Sequence, residues 1–263
     1  MAVFKLAAID LDDTLLNDKK DISDYTVEVI KRAVSKGIIV VLATGRSFKG
    51  ARKYYDRLNL ATPIISCGGA VVADNNCNEL FNLPINPDIA RKILIFAKEN
   101  NVHAQIENST GYCFENHNKH SKQHEIFYGF PGDEIPDLIN KENIVASKVL
   151  IIGEPDNLDI IQPKAKKLFP ELLVSRSLPS FLEFNNKESS KGAALQFLAS
   201  YFSIEKENII AFGDSDLDIQ MFKYAGFSVA VKNASQKIKN LADYVTDSNN
   251  EDGVAKAIKK FLL

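Results

Sequence analysis

At 263 residues the chain exceeds the roughly 100–200 residues of one ordinary domain, and its 45% hydrophobic and 25% charged residues fit a globular protein with a sizeable core. Its 32 Lys and Arg stand against 34 Asp and Glu, a net charge of −2 with the cations spread along the chain, which excludes a basic stripe and with it nucleic acid as the main partner. Cys67, Cys77 and Cys113 are too sparse for a disulfide framework or a zinc site, and the apolar run at 1–9 is too short for a membrane span and has no cleavage-like segment, so a cytoplasmic protein without a membrane partner is expected.

The run from Val3 to Ile9 is short, apolar and partly β-branched, and it ends abruptly in carboxylates, which predicts a buried strand with its C-terminal edge at Asp10. Segment 23–35 sets Tyr25, Val29, Ile30 and Ala33 at helical spacing behind a Ser23 cap, and Gly37 closes it before a strand over 38–42. A helix over 47–58, a strand over 63–66 and hairpin-like runs at 70–73 and 79–83 follow. From 84 to 184 the rhythm changes. A helix at 88–99 and strands at 102–107 and 111–114 are loosely repeated by a strand at 148–152, a helix at 156–169 and strands at 172–174 and 181–184. This predicts an antiparallel sheet with helices on one face, and the polar stretch 115–124 reads as a helix end or loop. Alternation then resumes with a helix at 190–202, a strand at 208–212, a helix from near Asp216, a strand at 228–231 and two short αβ steps. The expected fold is α/β, with a mainly parallel core sheet built from 1–83 and 185–263 and an α+β module, 84–184, inserted into it.

Four constellations carry chemistry. In Asp10-Leu11-Asp12-Asp13-Thr14, carboxylates two apart at a strand end can converge on one cation or phosphoryl group, although a solvated acidic turn explains a bare Asp-x-Asp equally well. Thr44-Gly45 offers a hydroxyl and an open backbone at a helix start, where Thr44 could equally serve as the cap. Lys191-Gly192 puts a cation where the helix dipole favours an anion, and a lone lysine is ordinarily a solvated surface charge. In Gly213-Asp214-Ser215-Asp216-Leu217-Asp218 a strand again runs into carboxylates, with helix capping as the alternative. All four fall at predicted strand ends or the helix starts beyond them, the edge where open α/β sheets bind ligands.

In their order these motifs resemble those of the haloacid dehalogenase superfamily, and the inserted module resembles the large α/β cap of its Cof-like phosphatases. The resemblance implies a Rossmann-like three-layer core and a cap. It implies that Asp10 attacks phosphorus to form an aspartyl phosphate, with Asp12 as general acid and base. It also implies Mg2+ held by the Asp10 and Asp214 side chains and the Asp12 carbonyl, and phosphoryl oxygens bound by Thr44, Lys191 and the backbone amides of Leu11 and Gly45. Asp218 would orient Lys191 or a metal-bound water. The implied partner is a small phosphorylated metabolite, foremost a sugar phosphate. Two positions depart from the family pattern: Leu217 stands where Asn is usual, and Gly68-Gly69-Ala70 where Asn-Gly-Ala is usual. Leu217 makes no hydrogen bond, so a contact made by Asn elsewhere would pass to Ser215 or Asp216. A phosphomutase, which shares the aspartyl phosphate, stays as one alternative, and these departures prompt another, a weakened, phosphometabolite-binding regulator. In the cap, His103, Gln105, Glu107, Tyr112 and Glu115 would suit a polyol, as would any half-exposed strand pattern, and His117, His120 and His124 read as a polar helix face rather than a metal cluster.

Overall fold

The computed structural model describes residues 4–142 and 144–263; Val3, where the first predicted strand opens, lies outside the described residues. In chain order the strands and helices are β1 (Leu6–Asp10), α1 (Asp24–Ser35), β2 (Ile39–Ala43), α2 (Phe48–Leu58), β3 (Ile64–Ser66), β4 (Val71–Ala73) and β5 (Glu79–Asn82). Next come α3 (Pro87–Glu99), β6 (His103–Asn108), β7 (Gly111–Phe114), α4 (Lys119–Tyr128), β8 (Asp133–Glu134), β9 (Lys148–Ile152), α5 (Pro155–Leu168), β10 (Leu172–Leu178) and β11 (Phe181–Asn186). The chain ends with α6 (Lys191–Tyr201), β12 (Ile209–Gly213), α7 (Ile219–Tyr224), β13 (Phe227–Ala230), α8 (Gln236–Lys239), β14 (Tyr244–Val245) and α9 (Gly253–Phe261).

Two compact units result. One takes the residues up to Gly45, Ala51–Phe81 and Ser190–Leu263; the other takes Arg46–Gly50 and Asn82–Ser189. The first contains an eight-stranded sheet in the order β14-β13-β12-β1-β2-β3-β4-β5. From β14 to β3 its neighbours run parallel, and β4 turns back antiparallel to β3. All five residues of β1 and of β12 are buried, which explains why these strands read as continuous apolar runs rather than alternating ones. Ser23 and Ser190 cap α1 and α6 by accepting from the backbone amides of Thr26 and Ala193, each at 3.0 Å. Register decides what gathers at the sheet end: Asp10 pairs with Ala43, Ile9 with Phe212 and Gly213 with Ala230. The chain therefore leaves three neighbouring strands at Asp10, Thr44 and Asp214. The α/β class with a mainly parallel sheet is as expected. Beyond β13, however, the two predicted αβ steps are one such step and a closing helix.

The second unit holds a six-stranded sheet in the order β10-β11-β9-β6-β7-β8. It is not wholly antiparallel, because the short β8 joins β7 in parallel. Its strands alternate. Ile106, Val149, Ile151, Leu182 and Phe184 share a core with Ile93, Leu158 and Phe169 from the helices and their flanks, and the Phe169 and Phe184 rings meet edge to face at 5.6 Å. The stretch 115–124 holds both a loop and a helix end: Lys119 begins α4, whose start is a polar cap rather than an apolar repeat. Asn118 Oδ1 accepts from the amides of His120 (2.9 Å) and Ser121 (3.1 Å), and Ser121 Oγ accepts from the Asn118 amide (2.9 Å). His124 corrects a second expectation. Only 1% exposed, it does not belong to a polar face but packs among the rings of Tyr112, Tyr128 and Phe181. Nor is the polar strand face half-exposed. Gln105 and Glu107 are fully buried, with Gln105 Nε2 donating to Glu107 Oε1 at 2.9 Å, and Lys148 Nζ lies 2.9 Å from Glu107 and 3.4 Å from Glu183.

Candidate active site

β1 has neighbours on both sides, so the chain can leave the sheet only at its end, where Asp10 remains 96% buried (4% exposed). Leu11–Leu15 then form one wide turn, closed by the Leu16 amide donating to the Leu11 carbonyl at 2.9 Å. The turn is broken inside, with Asp12 extended (φ −70°, ψ 128°) and Asp13 left-handed (φ 60°, ψ 5°). Thr14 Oγ1 donates to Asp214 Oδ1 (2.7 Å), tying this turn to the end of β12. The Asp12 carboxylate, 31% exposed, sits 3.4 Å from Lys20 Nζ, which also donates to Asp13 Oδ1 at 2.8 Å.

Lys191 starts α6 and is 1% exposed. Two close backbone approaches hold it there. Gly69, at φ 97°, comes so near Ser190 that a Cβ would lie 2.1 Å from its carbonyl carbon, and a Cβ on Gly192 would lie 2.4 Å from the Gln220 carbonyl oxygen. From this anchored start the ammonium donates to Asp10 Oδ1 (2.5 Å) and Asp218 Oδ1 (2.6 Å). Asp218 Oδ2 accepts in turn from the amides of Asp214 (3.1 Å) and Ser215 (3.0 Å) and from Ser215 Oγ (3.0 Å). Burial alone would discharge Lys191, but the charges of Asp10 and Asp218 outweigh it and hold the ammonium protonated, its pKa above the ordinary value. Burial raises the Asp10 pKa well above the carboxylate range against the pull of Lys191, with Asp218 and Asp214 adding to the rise. Asp214 is pushed up to about 6, again chiefly by burial.

One oxygen from each of Asp10, Asp214 and Asp218 lies within 4.8 Å of the others. Three carboxylates facing one ammonium leave surplus negative charge in a dry place, and oxygen-only donors suit a hard divalent cation. Both Asp218 oxygens are already engaged, so Asp10 and Asp214 are the two best able to turn to such an ion. The residues present fit one.

Of the site residues expected from sequence, Asp10, Lys191 and Asp214 come together directly. Thr44 is buried at the adjoining strand end, its amide donating to the Ile65 carbonyl (2.9 Å) and its carbonyl accepting from Gly68 (3.0 Å). The cap bond of α2 comes from Ser47, whose Oγ accepts from the Gly50 amide at 3.2 Å. Gly45 faces open space, with nothing within 4 Å of a Cβ added there, and Leu11 is fully buried. The Asp12 carboxylate lies with Lys20, outside the three-carboxylate cluster, where Asp218 is the third member. Of the two replacements expected for the absent Asn, Ser215 Oγ donates to Asp218 Oδ2 at 3.0 Å and Asp216 pairs with Lys237 at the surface at 2.9 Å. Sequence reasoning passed over Thr14, although it stands inside the first motif, and Lys20, whose signal is a lysine soon after an acidic turn.

Among the described residues no helix is long and apolar enough to cross a membrane. The pattern that defines the haloacid dehalogenase-like hydrolases matches residues 7–258. The 5-amino-6-(5-phospho-D-ribitylamino)uracil phosphatase YcsE of Bacillus subtilis is 35% identical over 264 residues, spanning 98% of this chain and 96% of its own. A second phosphatase of that description from the same organism, YitU, is 30% identical, with 97% of each chain covered. The crystal structure of TM0651 from Thermotoga maritima aligns at a TM-score of 0.90 and 31% identity, over 98% of this chain and 97% of that one. The matched span runs through every motif from Asp10 to Asp218, and with the buried lysine and its carboxylates in place the chain belongs to the haloacid dehalogenase-like hydrolases, as a phosphatase among them.

Proposed function

We propose that the chain is a magnesium-dependent phosphatase that hydrolyses small phosphate monoesters, sugar and polyol phosphates foremost, through an aspartyl phosphate on Asp10. The observation that carries this reading is Lys191, buried and bridging Asp10 and Asp218 with Asp214 beside them. A carboxylate in that setting is oriented by its lysine and desolvated, which suits attack on phosphorus. As the bond from phosphorus to the Asp10 oxygen forms, the bond to the leaving oxygen breaks, and Asp12 gives that oxygen a proton. Water then attacks the phosphoryl group, Asp12 takes a proton from it, and inorganic phosphate leaves Asp10 as the free carboxylate. Lys191, the Thr44 hydroxyl and the amides of Leu11 and Gly45 bind the phosphoryl oxygens; the open space at Gly45 supports a close approach there. Mg2+, held by Asp10, Asp214 and the Asp12 carbonyl, would supply the positive charge that offsets repulsion between carboxylate and phosphate.

Two relatives act on a substrate whose phosphate is carried by a ribityl chain, which supports polyol and sugar phosphates as the first class to try. Purified protein should release phosphate from p-nitrophenyl phosphate and from members of a sugar and polyol phosphate panel only with Mg2+ present, and Asp10→Asn should abolish it. Undiminished turnover by that variant would reject Asp10 as the nucleophile.

A further inference from the structure

Three loops leave the first sheet at the same end, after β1, β13 and β14, and two asparagine side chains join them. Asn233 Nδ2 donates to the Asp13 carbonyl (2.7 Å), while Asn233 Oδ1 accepts from the Asn249 amide (3.0 Å). Asn249 Nδ2 reaches the Leu16 carbonyl (3.0 Å) and Asp18 Oδ1 (3.2 Å), and the Asp18 amide donates to Asn250 Oδ1 (3.1 Å). The relay thus holds the middle of the turn that carries Asp12 and Asp13, and the chain just after it. The turn bends sharply at Asp13, whose backbone is left-handed, a conformation that Asp tolerates better than most residues, so its course is set by bonds such as these. Asn233 uses both ends of its amide, one donating and one accepting. A carboxylate in its place would face the Asp13 carbonyl with no proton between them.

We infer that Asn233 and Asn249 are positioning residues: they fix the peptide between Asp13 and Thr14 and the Leu16 carbonyl, and so hold the turn that carries the adjoining Asp12 carbonyl and carboxylate in the orientation the reaction uses. The inference rests on the roles proposed above for Asp10 and Asp12. Releasing the clamp lets the peptide rotate while Thr44 and Lys191 keep their places, so the chemical step suffers more than substrate binding.

Asn233→Ala in the full chain, assayed with p-nitrophenyl phosphate and Mg2+, should lower kcat about tenfold, the rate equivalent of one lost hydrogen bond, with KM within about twofold. Asn233 is exposed, so the thermal midpoint should hardly move. Calorimetric titration of the phosphate-free variant with Mg2+ should show weaker binding than wild type. Asn233→Asp should lose at least as much kcat as Asn233→Ala. A kcat within about twofold of wild type overturns the inference. So does a rise in KM at constant kcat, or a kcat loss that tracks a large fall in thermal midpoint. Asp10→Asn separates this from the reading beneath it: turnover by that variant defeats the nucleophile assignment, whereas an inert Asp10→Asn beside a normal Asn233→Ala defeats only the clamp.

Discussion

Each unit buries a lysine between two carboxylates, yet the two arrangements are in different chemical states. Lys191 stands at the ends of strands, and its partners Asp10 and Asp218 have a third carboxylate, Asp214, close by. Lys148 lies within a sheet between Glu107 and Glu183, and neutral donors cover much of the remaining charge: Gln105 Nε2 (2.9 Å) and the Tyr128 hydroxyl (3.1 Å) on Glu107, and the Ser177 hydroxyl (2.7 Å) on Glu183. One cluster keeps an excess of negative charge at a sheet edge, and the other closes on itself. A buried lysine with carboxylates is therefore no mark of a site by itself. Surplus charge and a position at strand ends are what set the candidate site apart.

The sharpest way to break this contrast is to remove each lysine. Lys191→Met should cut kcat/KM for phosphate release by about 10²–10³, the usual cost of losing a group that stabilises transition-state charge. Lys148→Met should act on folding, lowering stability by about 3–5 kcal/mol in urea titrations because two buried carboxylates lose their cation. If Lys191→Met unfolds the protein without slowing the molecules that remain folded, the two lysines do the same work and the contrast fails.

Acid should find the second unit next. Burial pushes His103 down to about 4 and His124 down to about 2, the latter with help from the Lys148 ammonium. The unfolded chain, with histidines near 6.5, binds protons that the folded chain refuses. Stability is therefore fully present above about pH 6.5 and is lost as pH falls toward 4, by about 1.4 kcal/mol per pH unit for each histidine. Urea midpoints for wild type and His124→Gln across pH 7 to 5 measure this, and equal slopes for the two proteins would remove His124 as a cause. The smallest effect belongs to the cation. Mg2+ at a hundred times its Kd should add about 2.7 kcal/mol to wild type and raise the thermal midpoint, and Asp214→Asn should lose most of that gain. An equal gain in Asp214→Asn would put the ion elsewhere.

Much of the first unit was legible because its signals are local. A buried parallel strand is apolar almost throughout, so β1, β2 and β12 announced themselves, and their abrupt endings in Asp10, Thr44 and Asp214 marked the sheet end that holds the candidate site. The capping Ser23 located α1 for the same reason. The bounds of the helix over Lys119–Tyr128 were not legible, because its start is set by Asn118 and Ser121, side chains that serve loops as readily as helices.

Composition and strand periodicity were enough to indicate the α/β class, and the resemblance of four ordered motifs the family, because strand hydrophobicity and motif spacing are properties of neighbours along the chain; the same motifs hold Asp10, Lys191 and Asp214, which the fold brings together. Only the folded chain decided that Asp218 joins Asp10 and Asp214 in one buried cluster, that Lys20 takes the Asp12 carboxylate, and that Asn233 and Asn249 reach back across more than two hundred residues to hold Asp13 and Leu16. Those partnerships depend on strand register and loop closure at one end of the sheet, where residues far apart in sequence become neighbours.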